Sequence, residues 1–246
     1  MYFLNKIMYF ESNEFLSYIL DRDLEYRLNL WESHRERKMA RISAILLGAG
    51  KSRRMGFDKL SLPWGKKTVF EHCVETLLRS KVREVVIVLG VRNKGIKNLF
   101  RGRKIKIVTN PHPEGGMSAS LRRGLQAIHP GSHGILIALG DQPFLKTRTI
   151  NVLIRTFAQG KGGMIVPSFR GRRGHPVIFH KRYRKELFNL RGDVGGRSVL
   201  ERYPKDVIMV PVKSEGVVKD INTWQDYKES SRKGERSERG GKRGFR

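Results

Sequence analysis

The chain has a single cysteine, Cys73, among 246 residues. One thiol excludes an intramolecular disulfide and a cysteine-built zinc site, and points to a reducing cytoplasm. Acidic residues are scarce beside basic ones: 23 Asp and Glu stand against 50 Lys and Arg, a formal charge of +27. Such a balance draws anions, whether nucleotides, nucleic acid, acidic membrane or phosphorylated metabolites, without choosing among them. Long hydrophobic runs are missing too, and nothing approaches the length of a membrane span. The opening MYFLNKIMYF is apolar, but Glu11, Glu14, Asp21 and Asp23 follow with no small-residue cleavage site, so no signal peptide is read there. RNA-recognition, zinc-finger and helix-turn-helix signatures are absent, which argues against specific nucleic-acid binding.

What is present falls into three zones. Residues 1–38 mix aromatics and charges, with Phe15, Leu16, Ile19, Leu20, Leu24 and Leu28 at helical spacing. They read either as a helical extension or as sequence upstream of a start at Met39. Residues 39–228 alternate short apolar runs ended by glycine, RISAILLG, EVVIVLG and GILIALG, with helical patterns. TVFEHCVETLLRS puts Val69, Phe70, Cys73, Val74, Leu77 and Leu78 on one face, and MSASLRRGLQAI does so with Leu121, Leu125 and Ile128. Strands apolar on both faces and separated by helices predict a mostly parallel sheet in an α/β/α sandwich. Beyond residue 163, shorter strand patterns suggest a smaller α+β part of the same domain. Residues 229–246 lack periodicity and read as a disordered basic tail. Residues 231–246 supply only +5 of the charge, so the body is basic in its own right.

The stretch LLGAGKSRRMGFDKL, residues 46–60, has the look of a phosphate loop. A Walker A loop would need glycine at 45, which is Ile45. The Rossmann fingerprint would need a third glycine at 53, which is Arg53. What remains is a glycine-rich turn after the first strand, followed by an extended loop carrying Arg54 and Lys59. Its glycines allow backbone N–H groups close to a triphosphate, and its cations can neutralise one. An ordinary turn with solvated basic residues stays open as the alternative.

Asp141 follows GILIALG, at a strand's carboxyl end, where open α/β sheets place their ligands. Pro143 biases Gln142 away from helical angles. A carboxylate there suits Mg²⁺, a hard cation that prefers oxygen ligands; a helix cap is the other reading.

LLGAGKSRRMGFDKL resembles the L-A-A-G-x-S-x-R-M-G-x-x-K signature of nucleotidyltransferases that load molybdenum cofactor. The likeness continues in order through NPHPEGGMSASLRRGL, LGDQPFL, RGHPVIF, LRGDVGGRSVL and DINTWQDY, spanning roughly residues 41–228. Ala49 matches the cytidylyl subgroup, whereas Gly48 departs from both the cytidylyl and guanylyl patterns. Gly196 stands for the usual alanine, and Asn222, Trp224 and Gln225 replace aspartate, proline and glutamate.

The resemblance implies a Rossmann-like three-layer α/β/α fold of the nucleotide-diphospho-sugar transferase kind. It implies Mg²⁺-dependent transfer of CMP from CTP to a phosphorylated pterin, molybdopterin, with GTP as the alternative donor. A molybdoenzyme or its chaperone is a further expected partner. Lys59, Arg54 and Asp141 are then the catalytic candidates. Leu47, Gly48, Ala49, Gly50, Gly116 and Ser118 would join Arg54 and Lys59 on the nucleotide. Asp220 and Asn222 would join Asp141 at the metal, or form a turn with Asn222 capping the last helix. Ser120, His175, Asp193 and Arg197 would contact the acceptor. A basic nucleic-acid-binding protein remains the rival from another class.

Overall fold

The computed structural model describes residues 40–50, 58–91, 93–100, 105–160 and 162–231. The N-terminal extension, the loop residues 51–57 with Arg54, and most of the basic tail lie outside them.

In chain order come β1 (Ile42–Gly48), a short hairpin of β2 (Pro63–Trp64) and β3 (Lys67–Thr68), α1 (Val69–Leu78), β4 (Glu84–Gly90) and α2 (Lys94–Leu99). Next are β5 (Lys106–Asn110), α3 (Gly116–Ala127), β6 (Gly134–Leu139), α4 (Thr147–Ala158), β7 (Met164–Phe169), β8 (Arg172–Arg173) and β9 (Val177–His180). The described chain closes with α5 (Arg184–Asn189), α6 (Arg197–Arg202), β10 (Val207–Pro211) and a last helix, α7, over 224–231.

The main sheet runs β10-β7-β9-β6-β1-β4-β5, with β8 paired to β7. β1 is parallel to β4 and β6, and β4 is parallel to β5. β9 alone on that path runs against its neighbours, antiparallel to both β6 and β7. The strands beyond residue 163 therefore do not build a smaller part of their own. They extend the one sheet, because β9 inserts between β6 and β7 with Val177, Ile178 and Phe179 all buried.

Strand alternation sorts the apolar side chains into two cores. Ile42, Ala44 and Leu46 of β1 face Phe70, Val74 and Leu77 of α1 and Ile150, Leu153 and Phe157 of α4. Ile45 of β1, with Val86 and Val88 of β4, faces Leu121 and Leu125 of α3, Leu187 of α5, and Val199 and Leu200 of α6. Each fully buried aliphatic or aromatic side chain contributes roughly 1.5–3 kcal/mol before ordering costs.

α1 starts on a capping box: Glu71 N–H donates to the Thr68 hydroxyl, and Thr68 N–H donates to the Glu71 carboxylate. Its apolar stripe differs from expectation by one position. Leu78 is exposed, and Thr76 is buried instead. The Thr76 hydroxyl can be buried because it donates to His72 O at 2.9 Å.

Candidate functional site

β6 lies beside β1, whereas the chain first runs outward from β1 through β4 and β5. The strand order thus reverses between β1 and β6, and the crevice beyond their carboxyl ends is where such sheets bind ligands. Gly140 N–H donates to Leu47 O at 2.9 Å and holds the two ends together. Leu47, Gly48, Ala49 and Gly50 therefore stand beside Gly140 and Asp141.

The two loop glycines do different jobs. A Cβ on Gly48 would meet Phe70 Cε2 at 2.7 Å, and one on Gly140 would meet the same atom at 2.5 Å. Glycine at these positions makes room for a core ring. Gly50 has nothing within 4 Å of a built Cβ, so the packing does not demand glycine there.

Lys59 begins a 3-10 turn whose cap is Asp58. Asp58 accepts from Leu60 N–H at 3.2 Å, from the Ser61 hydroxyl at 3.2 Å and from Asn93 Nδ2 at 2.9 Å. Asn93 Oδ1 in turn accepts Gly90 N–H, at the end of β4. Asp58 thereby ties the turn to the sheet and aims Lys59 across the crevice.

Lys59 Nζ donates to Asp141 Oδ2 at 2.5 Å, to Ile221 O at 3.0 Å and to Asn222 Oδ1 at 3.1 Å. Asn222 Nδ2 donates to Asp220 Oδ2 at 2.7 Å. Ile221 N–H donates to Asp141 O at 3.0 Å, so the segment carrying Asp220 and Asn222 is stitched to the segment carrying Asp141. Asn222 is not the cap of α7. Thr223 is, since Asp226 N–H donates to its hydroxyl and Asp226 Oδ2 accepts both Thr223 and Asn222 N–H. That frees the Asn222 side chain for the crevice.

Three buried polar atoms here have no hydrogen-bond partner among the described residues: Asp141 Oδ1, Gln142 Oε1 and His175 Nδ1. Gln142 is nearly inaccessible, a residue the sequence offered only through its place before Pro143. His175 enters on the turn before β9, where its N–H donates to Val217 O at 2.7 Å. Burial pushes its imidazole below the usual histidine range. The Ile137 carbonyl and the Asp141 and Asp220 carboxylates oppose that shift without cancelling it. Burial thus favours the neutral form of His175, beside Asp141, the carboxylate that also pairs with Lys59.

The other sequence-predicted residues are spread out. Met117 N–H donates to Asp193 Oδ1 at 3.2 Å and Ser118 N–H to Gly192 O at 3.2 Å, so the 192–193 segment covers the first turn of α3. Gly116 has φ +74°, and a Cβ there would stand 2.5 Å from the Gly192 carbonyl carbon. Ser120 is buried and accepts from Asn110 Nδ2 at 3.0 Å. Arg197 Nε pairs with Glu201 at 2.8 Å on the open surface of α6.

Among the described residues no three His, Cys, Asp or Glu side chains gather as a metal-binding group. The crevice nevertheless gathers oxygen donors: the Asp141 and Asp220 carboxylates and Asn222 Oδ1. With Asp141 Oδ1 unpartnered, they suit a hard divalent cation completed by phosphate or water oxygens. Among the described residues no helix is long and apolar enough to cross a membrane.

The MobA-like NTP transferase domain profile matches residues 44–207. The chain is 31% identical over 189 residues to nicotine blue oxidoreductase of Paenarthrobacter nicotinovorans, covering 74% of this chain and 92% of that one. It is 25% identical over 190 residues to molybdenum cofactor cytidylyltransferase of Escherichia coli, covering 77% and 95%. Among solved structures, a homologue of Mycobacterium tuberculosis Rv0371c from Mycobacterium sp. strain JC1 superposes with a TM-score of 0.72 at 26% identity, covering 80% and 98%.

Proposed function

The chain belongs to the MobA-like NTP transferase family, and on that premise we propose that it transfers CMP from CTP to the terminal phosphate of molybdopterin, releasing pyrophosphate. The observation that carries this reading is the Lys59–Asp141 pair in the crevice between β1 and β6, with oxygen donors arriving from Asp220 and Asn222.

The acceptor's phosphate oxygen is already anionic, so it can attack the α-phosphorus without a general base. A new P–O bond forms as the bond to pyrophosphate breaks, and the leaving pyrophosphate takes the electron pair. The protein's share is alignment and charge neutralisation. Lys59 and Arg54 would hold the phosphates that leave. The backbone of Leu47, Gly48, Ala49 and Gly50 would cradle base and ribose. Gly116 and Ser118 would share their helix end with the 192–193 segment, and Ser120, His175, Asp193 and Arg197 would each contribute to holding the acceptor. Asp141, with Asp220 and Asn222, would hold Mg²⁺, which supplies Lewis-acid stabilisation of the developing charge when bound.

Guanylyl transfer to the same acceptor is the alternative within the class, and another phosphorylated acceptor is a third. An oxidoreductase reading has the 31% identical relative in its favour, but the loop lacks the third glycine of a dinucleotide fingerprint at position 53. The basic charge keeps a nucleic-acid-binding reading in view.

Pyrophosphate release separates these readings. With CTP, GTP and ATP each supplied with Mg²⁺ and molybdopterin, release is expected from CTP and only when acceptor is present. Release from GTP alone among the three would reassign the base. No release from any of them would leave the transferase reading without support.

A further inference from the structure

The ammonium of Lys59 stands where the oxygen donors converge. Its three acceptors, Asp141 Oδ2, Ile221 O and Asn222 Oδ1, include two of the side chains assigned to the divalent cation. Only 15% of the Lys59 side chain is exposed, and 18% of Asp141, so neither contact is a loose surface pair. A monovalent ammonium placed among carboxylate and carbonyl oxygens presents the same chemistry as a bound cation. Two cations in that space would repel strongly at such low exposure.

Resting on the transferase reading above, we infer that Lys59 is a built-in counter-ion that keeps the divalent cation out of the nucleotide-free site. Without nucleotide, the space beside Asp141 holds one cation at a time. Without nucleotide the ammonium neutralises Asp141 and spares it the cost of a buried, uncompensated charge. A triphosphate offers Lys59 better acceptors than one carboxylate oxygen. Once Lys59 turns to the phosphates, Asp141 Oδ2 and Asn222 Oδ1 become free for the cation. Nucleotide and cation then bind with positive coupling, because each removes an obstacle to the other. Asp58 acts as the pivot, since it fixes the start of the Lys59 turn while the side chain changes partner.

The test reads Mn²⁺ binding to the nucleotide-free protein from the electron paramagnetic resonance of unbound Mn²⁺. Lys59→Met, which keeps the length of the side chain but not its charge, is expected to bind Mn²⁺ at least ten-fold more tightly than the wild-type chain. Lys59→Arg keeps the charge and is expected to bind as weakly as wild type. The gain should vanish in the Lys59→Met/Asp141→Asn double variant. Equal affinity in wild type and Lys59→Met, lost in Asp141→Asn, overturns the counter-ion role while leaving the metal assignment standing. Affinity unaffected by Asp141→Asn in every background overturns the metal assignment itself, and the counter-ion role with it.

A second measurement needs no variant. In the wild-type chain, saturating Mg²⁺ together with a non-transferable CTP analogue should change the rate of Lys59 acetylation, read by peptide mass spectrometry. The analogue alone should protect Lys59. Mg²⁺ alone, at concentrations far above those used with nucleotide, should expose it and raise the rate several-fold. A rate that Mg²⁺ alone raises at the same concentrations that suffice with nucleotide overturns the exclusion.

Discussion

The ring of Phe70 lies directly beneath Gly48, so close that a methyl group on Gly48 would press into it at 2.7 Å. The first glycine of the loop is therefore a packing residue, while Gly50 meets nothing within 4 Å. Gly48→Ala is expected to cost about 1–3 kcal/mol by overpacking, read as a lower midpoint of urea unfolding. Phe70→Leu should recover part of that loss when combined with it. Gly50→Ala is expected to change stability by no more than about 0.5 kcal/mol yet weaken CTP binding measurably. Full CTP affinity in Gly50→Ala would remove that residue from the nucleotide site.

Asp141→Asn should nearly abolish turnover while CTP still binds in the absence of metal, because a neutral amide is a poorer ligand for a hard dication. Lys59→Ala should raise the CTP dissociation constant and also slow the chemical step, since the leaving pyrophosphate gains charge. Lys51→Ala should matter less than either, although a Walker A reading would choose it. Single-turnover rates and calorimetric CTP affinities for the three variants decide the order. If Lys51→Ala is the most damaging, the loop works by another geometry.

The first turn of α3 depends on a conformation that a side chain resists. Gly116 has φ +74° and abuts the Gly192 carbonyl carbon. Gly116→Ala is expected to cost about 1–3 kcal/mol in backbone strain, and the contact with Gly192 adds to it. Asp193→Ala removes the acceptor of Met117 N–H and should cost about 1 kcal/mol. Thermal unfolding of both variants checks the order, and an Asp193→Ala chain less stable than Gly116→Ala would reverse it.

Three histidines are held below the usual histidine range. Burial is the first cause in each. The Arg41 and Lys181 cations add to it at His133, and Arg182, Lys181 and His133 add to it at His180. The folded state then binds fewer protons than the unfolded chain as pH falls through about 6.5, so stability rises with pH in that window. The melting temperature should drop between pH 7.5 and pH 5, and His175→Asn should flatten part of the slope. Glu84 acts lower down. Burial alone would raise its carboxyl, but the Ser43 hydroxyl, His129 N–H and Lys106 outweigh that and lower it. Its stabilisation is complete above its unfolded value near 4.5 and is lost only as pH falls below that. A melting temperature flat from pH 7.5 to 5 would show that the three histidines charge freely in the folded chain.

Much of the crevice was legible in the linear sequence because its parts sit at strand ends, and strand ends announce themselves. GILIALG-D places Asp141 and RISAILLG-A-G places the loop, since an apolar run stopped by glycine reads as a buried strand and open α/β sheets bind ligands beyond such carboxyl ends. Two readings turned on contacts that periodicity does not show. Leu78 was expected on the α1 stripe and Thr76 was not, because periodicity cannot see that a threonine hydroxyl will satisfy itself on His72 O. Asn222 was weighed as the α7 cap, but the pair of bonds between Thr223 and Asp226 takes that role.

The sequence by itself determined the alternation of strands and helices, the family signature and the identity of the charged groups, because each is written in residues near one another along the chain. Only the tertiary structure decided that β9 would enter the sheet between β6 and β7, that Phe70 would claim the space under Gly48 and Gly140, and that Lys59 would meet Asp141 and Asn222, 82 and 163 positions away. Contacts at that separation follow from which faces must be buried together, and burial is settled by the whole core at once.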